Sequence, residues 1–308
     1  MFEDLARDNR SGASSLTRAA AARLAEVAAA SRAPDPGAFW DELTAACREM
    51  VGAQREMAPV VHLAGRVLAA AECVVLSGLP PEAARDAVRV ECERSIERAE
   101  AAMEALTAHG AALVGPGAVV ATTSASSAVA AILEAAAARG GAPRVLLSES
   151  RPALEGAAMA RRLGAAGIGV TFTTDAALPG LVARAALVLV GADSVSESDF
   201  VNKTGTYPLA LAAREAAVPF HVAAPLDRFI SSALRGDPGR PRGGHEVLAS
   251  PPPGVSVENR YFEAIPLSFA AGLVTEEGVK APAEAVALVF GNPIPPAILP
   301  LLFPRRAS

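Results

Sequence analysis

Residues 187–206 read LVLVGADSVSESDFVNKTGT, and this stretch decides the fold. Its opening run is short, apolar on both faces and bounded by turn residues, which predicts a buried parallel strand. Asp193 then lies at the carboxyl end of that strand, where open α/β sheets place their ligand sites. Asn202 and Lys203 follow just before hydroxyl residues and an apolar helix, and such groups can hold an anion at a helix N-terminus. The stretch therefore predicts one carboxylate beside one anion pocket.

The composition narrows the class of protein. With 308 residues, of which 51% are hydrophobic, the chain is long enough for one large domain plus a smaller one and is not disordered. The net charge of −5 disfavours binding to nucleic acid through bulk charge, because neutralising phosphates needs clustered Lys and Arg. We therefore expect no direct nucleic-acid partner.

The sequence also predicts a cytoplasmic protein without a membrane segment. Cys47, Cys73 and Cys92 are odd in number and widely spaced, which is typical of reduced thiols in the cytosol. The acidic start of the chain is not followed by an apolar segment of the kind found in signal peptides. No uninterrupted apolar run reaches the ~18 residues that a transmembrane helix needs.

Two patterns divide the chain. Helical patterns occur at residues 15–30, 39–51, 57–71 and 82–108. From residue 111 onward, Ala-rich helical stretches alternate with short β-rich segments at residues 119–122, 144–147, 169–173, 186–190 and 220–223. This alternation predicts βαβ units, a parallel sheet and right-handed crossovers. We therefore predict a helical domain over residues 1–110 and an α/β domain over residues 111–308.

Polar residues follow the predicted strands, and the carboxyl ends of parallel strands meet at one edge of a sheet. The hydroxyl-rich loop Thr122 to Ser127 follows the first strand and reads either as a helix N-cap or as part of a ligand site. The later strands are followed by Glu149, Arg151, Asp175, Asp193, Asn202 and Lys203. Asp175 is most simply a helix cap. The other groups, together on one rim, suit a phosphorylated small molecule.

Several common kinds of site have no signature in the sequence. No Gly-x-Gly-x-x-Gly follows the first strand and no Gly-x-x-x-x-Gly-Lys-Ser/Thr occurs, so we expect neither a cofactor of the dinucleotide type nor a P-loop. The histidines are isolated, so we expect no metal site: they are His62, His109, His221 and His245. Residues 236–254 are rich in Pro, Gly and Arg, which indicates either an unstructured insertion or a mobile loop that closes over a site.

Several motifs occur in a fixed order over most of residues 115–280. They are SESRP at 148–152 with Glu155-Gly156, GAD at 191–193, NKTGT at 202–206, PFHVAAP at 219–225, NRYFE at 259–263 and VTEEG at 274–278, with QREMAP at 54–59 in the helical part. In these motifs the chain resembles the family of the α, β and δ regulatory subunits of eukaryotic initiation factor 2B, methylthioribose-1-phosphate isomerase and ribose-1,5-bisphosphate isomerase. The resemblance implies an N-terminal helical domain followed by a Rossmann-like domain with a mainly parallel sheet, and a homodimer through the latter.

The resemblance also implies site residues. The acid of the isomerases corresponds to Asp193, a general acid/base, and their cysteine corresponds to Ser124 in this chain. Those enzymes convert a ribose 1-phosphate into a ribulose 1-phosphate by moving hydrogen between C2 and C1 after the ring opens. A thiol titrates near ~8.5, whereas a serine needs a strong neighbouring base, so Ser124 would polarise the substrate instead. The expected substrate-binding residues are Arg55, Ser126, Ser127, Glu149, Arg151, Asn202 and Lys203.

Two functions stay open at this point. The first is a sugar-phosphate-binding isomerase acting on a pentose phosphate, which Asp193, Asn202 and Lys203 favour. The second is a non-catalytic regulatory protein similar to initiation factor 2B, which senses a sugar phosphate or nucleotide and meets a protein partner. The absence of a cysteine at position 124 favours the second. An aspartate after a buried strand can also cap the following turn, which would give Asp193 a structural role.

Overall fold

The computed structural model describes residues 12–303 together with Phe2 and Leu5. The N-terminal part contains helices α1 (Ala13–Ala30), α2 (Pro36–Ala53), α3 (Ala58–Leu76) and α4 (Pro81–Leu113). Asp35 caps α2 by accepting a hydrogen bond from the Ala38 amide at 2.9 Å. Proline lies in the first turn of α2, α3 and α4, where its missing amide hydrogen breaks no helical hydrogen bond. The four predicted helices are confirmed, although α3 and α4 continue beyond their predicted ends at residues 71 and 108.

The remaining elements form the α/β part of the chain. The strands are β1 (Val119–Thr122), β2 (Arg144–Ser148), β3 (Gly169–Thr173), β4 (Leu187–Gly191), β5 (Ser194–Val195), β6 (Asp199–Lys203), β7 (Phe220–Ala223), β8 (Phe262–Pro266), β9 (Gly272–Thr275) and β10 (Gly278–Lys280). The helices are α5 (Ser127–Ala138), α6 (Glu155–Ala165), α7 (Leu178–Leu181), α8 (Thr206–Glu215), α9 (Ala285–Gly291) and α10 (Leu299–Leu302). The five predicted strands are present within one residue of their predicted bounds.

Seven strands form one sheet in the order β10-β9-β7-β4-β1-β2-β3. Neighbouring strands are parallel apart from β10, which pairs antiparallel with β9. The chain runs outward from β1 through β2 to β3, returns to β4 and then continues through β7 to β9 on the other side. The strand order therefore reverses between β1 and β4, and such a reversal opens a crevice at the carboxyl ends of the two strands. The predicted mainly parallel α/β fold is confirmed.

A second sheet contains β5, β6 and β8, all antiparallel. The polar stretch after β4 reads as a turn in the sequence, but it forms the β5–β6 hairpin. Successive residues of β6 point to opposite faces, so Phe200 is buried in the core beneath the large sheet and Val201 is buried in the core of the helices. Asn202 and Lys203 therefore lie on a strand that is packed on both faces, not in a loop.

The N-terminal helices pack directly against the α/β part of the chain. The core of the helical part also includes Tyr261, Phe262 and the C-terminal Ile298. Gly110 lets α4 approach α5 closely, because a Cβ atom at this position would lie 2.3 Å from Cδ1 of Ile132. The division into residues 1–110 and 111–308 stays a prediction, and the contacts above join the two parts tightly.

Helix α3 is the inner helix of the N-terminal part. It has the length and apolar composition of a membrane-spanning helix, but 56% of its apolar window is buried inside the protein. It packs against α1, α2 and α4. Its apolar character is explained by this packing.

Candidate functional site

A pocket lies at the crevice between the ends of β1 and β4, and we call it the switch-point pocket. Its cavity volume is about 70 Å³. Its walls come from the loops after β1 and β4, from β6 and β8, and from the segment between α2 and α3. Of the predicted site residues, it is lined by Ser124, Ser126, Ser127, Asp193, Asn202 and Lys203. The edge of the sheet thus brings together predicted site residues that are up to 79 positions apart in the sequence, from Ser124 to Lys203.

The loop after β1 forms one wall of the pocket. Ser126 is the N-cap of α5 and accepts a hydrogen bond from the Val129 amide at 3.3 Å. Ser124 adopts a φ of 64°, in the left-handed region that non-glycine residues seldom occupy. Gly191 lets the end of β4 approach this loop, because a Cβ atom there would lie 2.5 Å from the Ser126 hydroxyl. The loop is therefore both a helix cap, through Ser126, and part of the pocket wall.

Asp193 lines the pocket just after the end of β4. Its amide donates to the Val201 carbonyl at 2.8 Å, and its own carbonyl accepts from the Ala58 amide at the start of α3, at 3.3 Å. Burial raises the pKa of the Asp193 carboxyl above its usual range, while the positive charges of Arg228 and Lys203 oppose that rise. A carboxyl with a raised pKa keeps its proton to higher pH and is suited to general acid chemistry.

Two more carboxylates share the electrostatic environment of Asp193. Glu56 and Glu155 both raise its pKa further, because like charges disfavour ionisation. Both also line or border the pocket through ion pairs with cations in its wall. The site therefore holds several close charges of both signs.

Lys203 is paired with Glu155 inside the pocket wall. The Nζ of Lys203 lies 2.6 Å from Oε1 of Glu155, and the two side chains are 8% and 6% exposed. The same ammonium lies 5.0 Å from the ring centre of Tyr261 and 4.6 Å from that of Phe262. Glu155 is the first residue of α6 and belongs to a quoted motif, but the sequence does not reveal its pairing with Lys203.

Asn202 is held by its neighbours on the chain. Its Nδ2 donates to the Thr206 hydroxyl at 3.0 Å, and that hydroxyl donates to the Lys203 carbonyl at 2.7 Å. This arrangement fixes the amide plane of Asn202 at the pocket wall. The NKTGT motif is thus a local hydrogen-bonded unit that sets the direction of the Asn202 and Lys203 side chains.

Residues 236–247 form a segment that closes one side of the pocket, and we call it the strap. Arg242 lines the pocket and pairs with Glu56 of the helical part. Its amide donates to the Asn259 carbonyl at 2.9 Å, while Nδ2 of Asn259 donates to Glu246 at 2.8 Å. The hydroxyl of Tyr261 also donates to Glu246. The sequence of residues 236–254 allows either an unstructured insertion or a loop that closes over a site. These contacts show that the strap is not an unstructured insertion.

Arg228 is a further pocket residue that the sequence does not single out. It lies in a short helical turn, Leu226–Arg228, whose first amide donates to the carboxylate of Glu276 at 2.9 and 3.1 Å. One guanidinium nitrogen of Arg228 donates to the Ser14 hydroxyl at 2.9 Å. Glu276 of the VTEEG motif therefore fixes the turn that brings Arg228 to the pocket.

Three predicted binding residues do not line the pocket. Arg55 lies next to the Glu56 that borders it, and the Arg55 carbonyl accepts from the Gly236 amide of the strap at 3.2 Å. The amide of Arg151 donates to Asp175 at 2.7 Å, and its side chain is exposed. Glu149 is half-buried, and its amide donates to the Thr173 carbonyl at 3.0 Å. Asp175 therefore binds the turn after β2.

A second cavity of about 330 Å³ adjoins the first and shares Met103, Ser127 and Pro225 with it. It lies between α1 and α4. Its charged wall residues are Arg18, Glu100 and Asp227, and Arg18 is paired with Glu100 at 2.9 Å. Within residues 12–303, no three His, Cys, Asp or Glu side chains come together in a way that could hold a metal ion.

Sequence comparison finds one matching family and similar proteins of two kinds. The model of the initiation factor 2 subunit family matches residues 9–282. A protein of Pyrococcus furiosus named for its likeness to translation initiation factor eIF-2B subunit 2 is 38% identical over 202 residues, covering 64% of this chain and 70% of the relative. The methylthioribose-1-phosphate isomerase of Chloroflexus aurantiacus is 33% identical over 299 residues, covering 90% of this chain and 85% of the enzyme.

A solved structure agrees with the sequence comparisons. The crystal structure of the Pyrococcus horikoshii OT3 translation initiation factor eIF-2B superposes with a TM-score of 0.79 at 29% identity. The match covers 92% of this chain and 97% of that one. The relatives thus include both an isomerase and initiation-factor-like proteins.

Proposed function

We propose that this chain, which belongs to the initiation factor 2 subunit family, is an aldose–ketose isomerase that acts on a pentose 1-phosphate. The observation that carries the proposal is Asp193, a half-buried carboxyl at the reversal point of the sheet that lines a polar pocket and whose pKa is raised by desolvation. The isomerase of Chloroflexus aurantiacus, similar over 90% of this chain, supports the same reaction class.

In this proposal, Asp193 moves protons between oxygen atoms of the sugar. Its burial keeps the carboxyl protonated at a higher pH than a free aspartate, so it can donate a proton to the ring oxygen as the ring opens. Ser124, which also lines the pocket, donates a hydrogen bond that polarises the substrate. A serine hydroxyl supplies orientation and polarisation here, because its own pKa is too high for it to act as an acid near neutral pH.

The phosphate and hydroxyl groups of the ligand would be bound around this carboxyl. The first amides of α5 lie at the pocket wall next to Ser126 and Ser127, and a helix N-terminus attracts anions. Lys203 and Arg228 add positive charge, and Asn202 adds an oriented amide. Arg55, Glu149 and Arg151 stay predicted binding residues that would need to move to reach the pocket.

The reaction can be tested directly. We would incubate the purified protein with methylthioribose 1-phosphate, 5-deoxyribose 1-phosphate or ribose 1,5-bisphosphate and follow the C2 ketone by carbon NMR. We expect the ketone to form with at least one substrate, and Asp193→Asn to abolish it while leaving the fold intact by circular dichroism. Binding without turnover in the wild type would reject the isomerase.

A second function has its own support. The relative of Pyrococcus furiosus named for its likeness to an initiation factor subunit and the cysteine that is replaced by Ser124 both favour a non-catalytic protein that binds a sugar phosphate or nucleotide. Ser124→Cys separates the two. A rise in isomerase activity on restoring the thiol supports a catalytic pocket, and an inactive variant that still binds ligand supports the regulatory protein.

We also propose that the protein is a cytoplasmic homodimer. The expectation comes from the family resemblance, in which dimers form through the α/β part. Sedimentation equilibrium of the purified chain measures the oligomer, with a monomer as the result that would reject it.

A further inference from the structure

The carboxylate of Glu155 has an oxygen that the fold leaves unused. Its Oε1 is bound by Lys203 at 2.6 Å, while its Oε2 is buried and has no hydrogen-bond partner among the described residues. The residue lines the switch-point pocket, as Asp193 does. A buried carboxylate oxygen without a partner destabilises a folded protein, so this position fits a group whose partner arrives with the ligand.

The environment of Glu155 differs from that of Asp193. Among the described residues, the titratable groups that interact with Glu155 are Lys203 on β6, Tyr261 before β8 and Asp193 after β4. The Lys203 ammonium keeps Glu155 as an ion pair. The carboxyl of Asp193 has no ion pair within 4 Å among residues 12–303, and desolvation raises its pKa. Two neighbouring carboxyl groups whose environments differ in this way are a common basis for an acid and a base in one site.

We propose that Glu155 is the general base of the site and takes the place of the thiol that Ser124 does not provide. The inference rests on the proposed isomerase function and names its second proton-transfer group. Asp193 is then the acid, and Lys203 holds the carboxylate of Glu155 in position.

The proton transfers balance without an oxidant or reductant. The bond between C1 and the ring oxygen breaks as the Asp193 carboxyl gives its proton to that oxygen, which becomes the C4 hydroxyl. Hydrogen moves with its electron pair from C2 to C1, so C2 is oxidised and C1 is reduced. The C2 hydroxyl loses its proton to Oε2 of Glu155 as the ketone forms. Water then returns the proton from Glu155 to Asp193.

Hydrogen bonds of catalytic groups are often incomplete in unliganded proteins and form only with substrate. The unbound Oε2 of Glu155 is consistent with that state.

The test compares Glu155→Gln and Glu155→Asp with wild type on the substrate that turns over. We expect Glu155→Gln to lower kcat about 10²–10⁴-fold, the usual contribution of a general base, with little change in KM. Glu155→Asp keeps the charge beside Lys203, but the shorter side chain moves the carboxylate oxygen away from the substrate. This variant should therefore fold normally and lose part of kcat. Glu215→Gln on the exposed face of α8 is the matched control and should keep full activity.

The pH dependence gives a second readout. The base must be ionised, so kcat/KM of the wild type should fall at low pH, and Glu155→Gln should lose that acid limb. A purely structural ion pair would change stability and KM without removing the limb. Glu155→Gln or Glu155→Asp with full kcat overturns the inference while the isomerase stands. A wild type without turnover on any pentose 1-phosphate overturns the isomerase and the inference together.

Discussion

Two carboxylate–cation pairs lie at the same pocket, and they differ in what they join. Glu155 and Lys203 both belong to the α/β part, on α6 and β6, and lie 2.6 Å apart. The Lys203 ammonium also contacts the faces of two aromatic rings. Glu56 and Arg242 join the helical part to the strap. The first pair leaves a carboxylate oxygen free for a ligand, whereas the second fixes a loop in place.

We interpret the first pair as part of the proposed catalytic machinery and the second as a contact that controls entry to the pocket. A pair between two packed elements keeps a reactive group in position and is costly to break, because each charge is buried and neither element can move to let water in. A pair that joins a loop to another part of the protein opens when the loop moves. We therefore expect substitutions at the first pair to affect stability and turnover, and substitutions at the second to affect mobility and ligand exchange.

The largest effect is expected from Lys203→Met. Removing the ammonium leaves the Glu155 carboxylate buried without a counter-charge, which should lower the free energy of unfolding by about 3–5 kcal/mol in urea titrations. The double variant Lys203→Met/Glu155→Gln should recover most of this loss. Lys280→Met, which changes the other lysine of the chain at a more exposed pair, is the control. Equal losses at Lys203 and Lys280 would contradict the buried pair.

Arg242→Met should have a smaller effect that is concentrated in the strap. Glu56, whose side chain is 3% exposed, loses its partner, but movement of the strap can bring water to this carboxylate, so the cost should be about 1–3 kcal/mol. Amides of residues 236–247 should exchange with deuterium faster, while those of β4 and β6 keep their protection. Arg240→Met, two residues away and exposed, is the matched control. Unchanged strap exchange in Arg242→Met would show that the ion pair does not hold the strap.

A pH effect on stability is expected next in size. The pKa of Asp193 is raised on folding, so the native state binds more protons than the unfolded state above about pH 3.9, the usual aspartate value, and stability falls as the pH rises through that window. Asp193→Asn removes this fall. The stability of Asp193→Asn relative to wild type, measured by urea unfolding, should therefore increase from pH 4 to pH 7. A constant difference would contradict the raised pKa.

The smallest effect is expected on the surface of α4. Arg89 and Glu93 are 2.9 Å apart at positions i and i+4, and both are exposed. Glu93→Gln should lower the free energy of unfolding by only about 0.3–0.5 kcal/mol, and 1 M salt should remove the difference. A loss as large as that of Lys203→Met would show that burial does not explain the contrast between the pairs.

The sequence predicts the part of the site that depends on strand ends. The apolar run 187–190 is visible because a strand buried on both faces has no polar alternation, and its end places Asp193. Ser124 and Ser126 follow from the same argument applied to β1. These positions are set by the local chain and by the rule that ligands bind where the strand order reverses.

The remaining residues depend on long-range packing that no local pattern records. Lys203 and Glu155 are 48 positions apart in the sequence, and their pairing requires the end of β6 to meet the first residue of α6. The sequence does not reveal the β5–β6 hairpin, because its strands are short and residues 194–199, SVSESD, are mostly polar and typical of a turn. Arg242 lies in a Pro- and Gly-rich segment that lacks periodicity. Arg228 depends on the distant Glu276, which fixes its turn.

Helix α4 has a mechanical consequence for the pocket. Its 33 residues span about 50 Å at 1.5 Å per residue, from the helical bundle to β9 and β10. The ring of His109 near its end contacts the Thr275 carbonyl at 3.0 Å. This continuous helix connects the N-terminal helices to the large sheet. Hinge bending between these two parts would therefore require breaking the helix. Ligand entry should therefore be a local movement of the strap, and the radius of gyration measured by small-angle scattering should stay constant on binding.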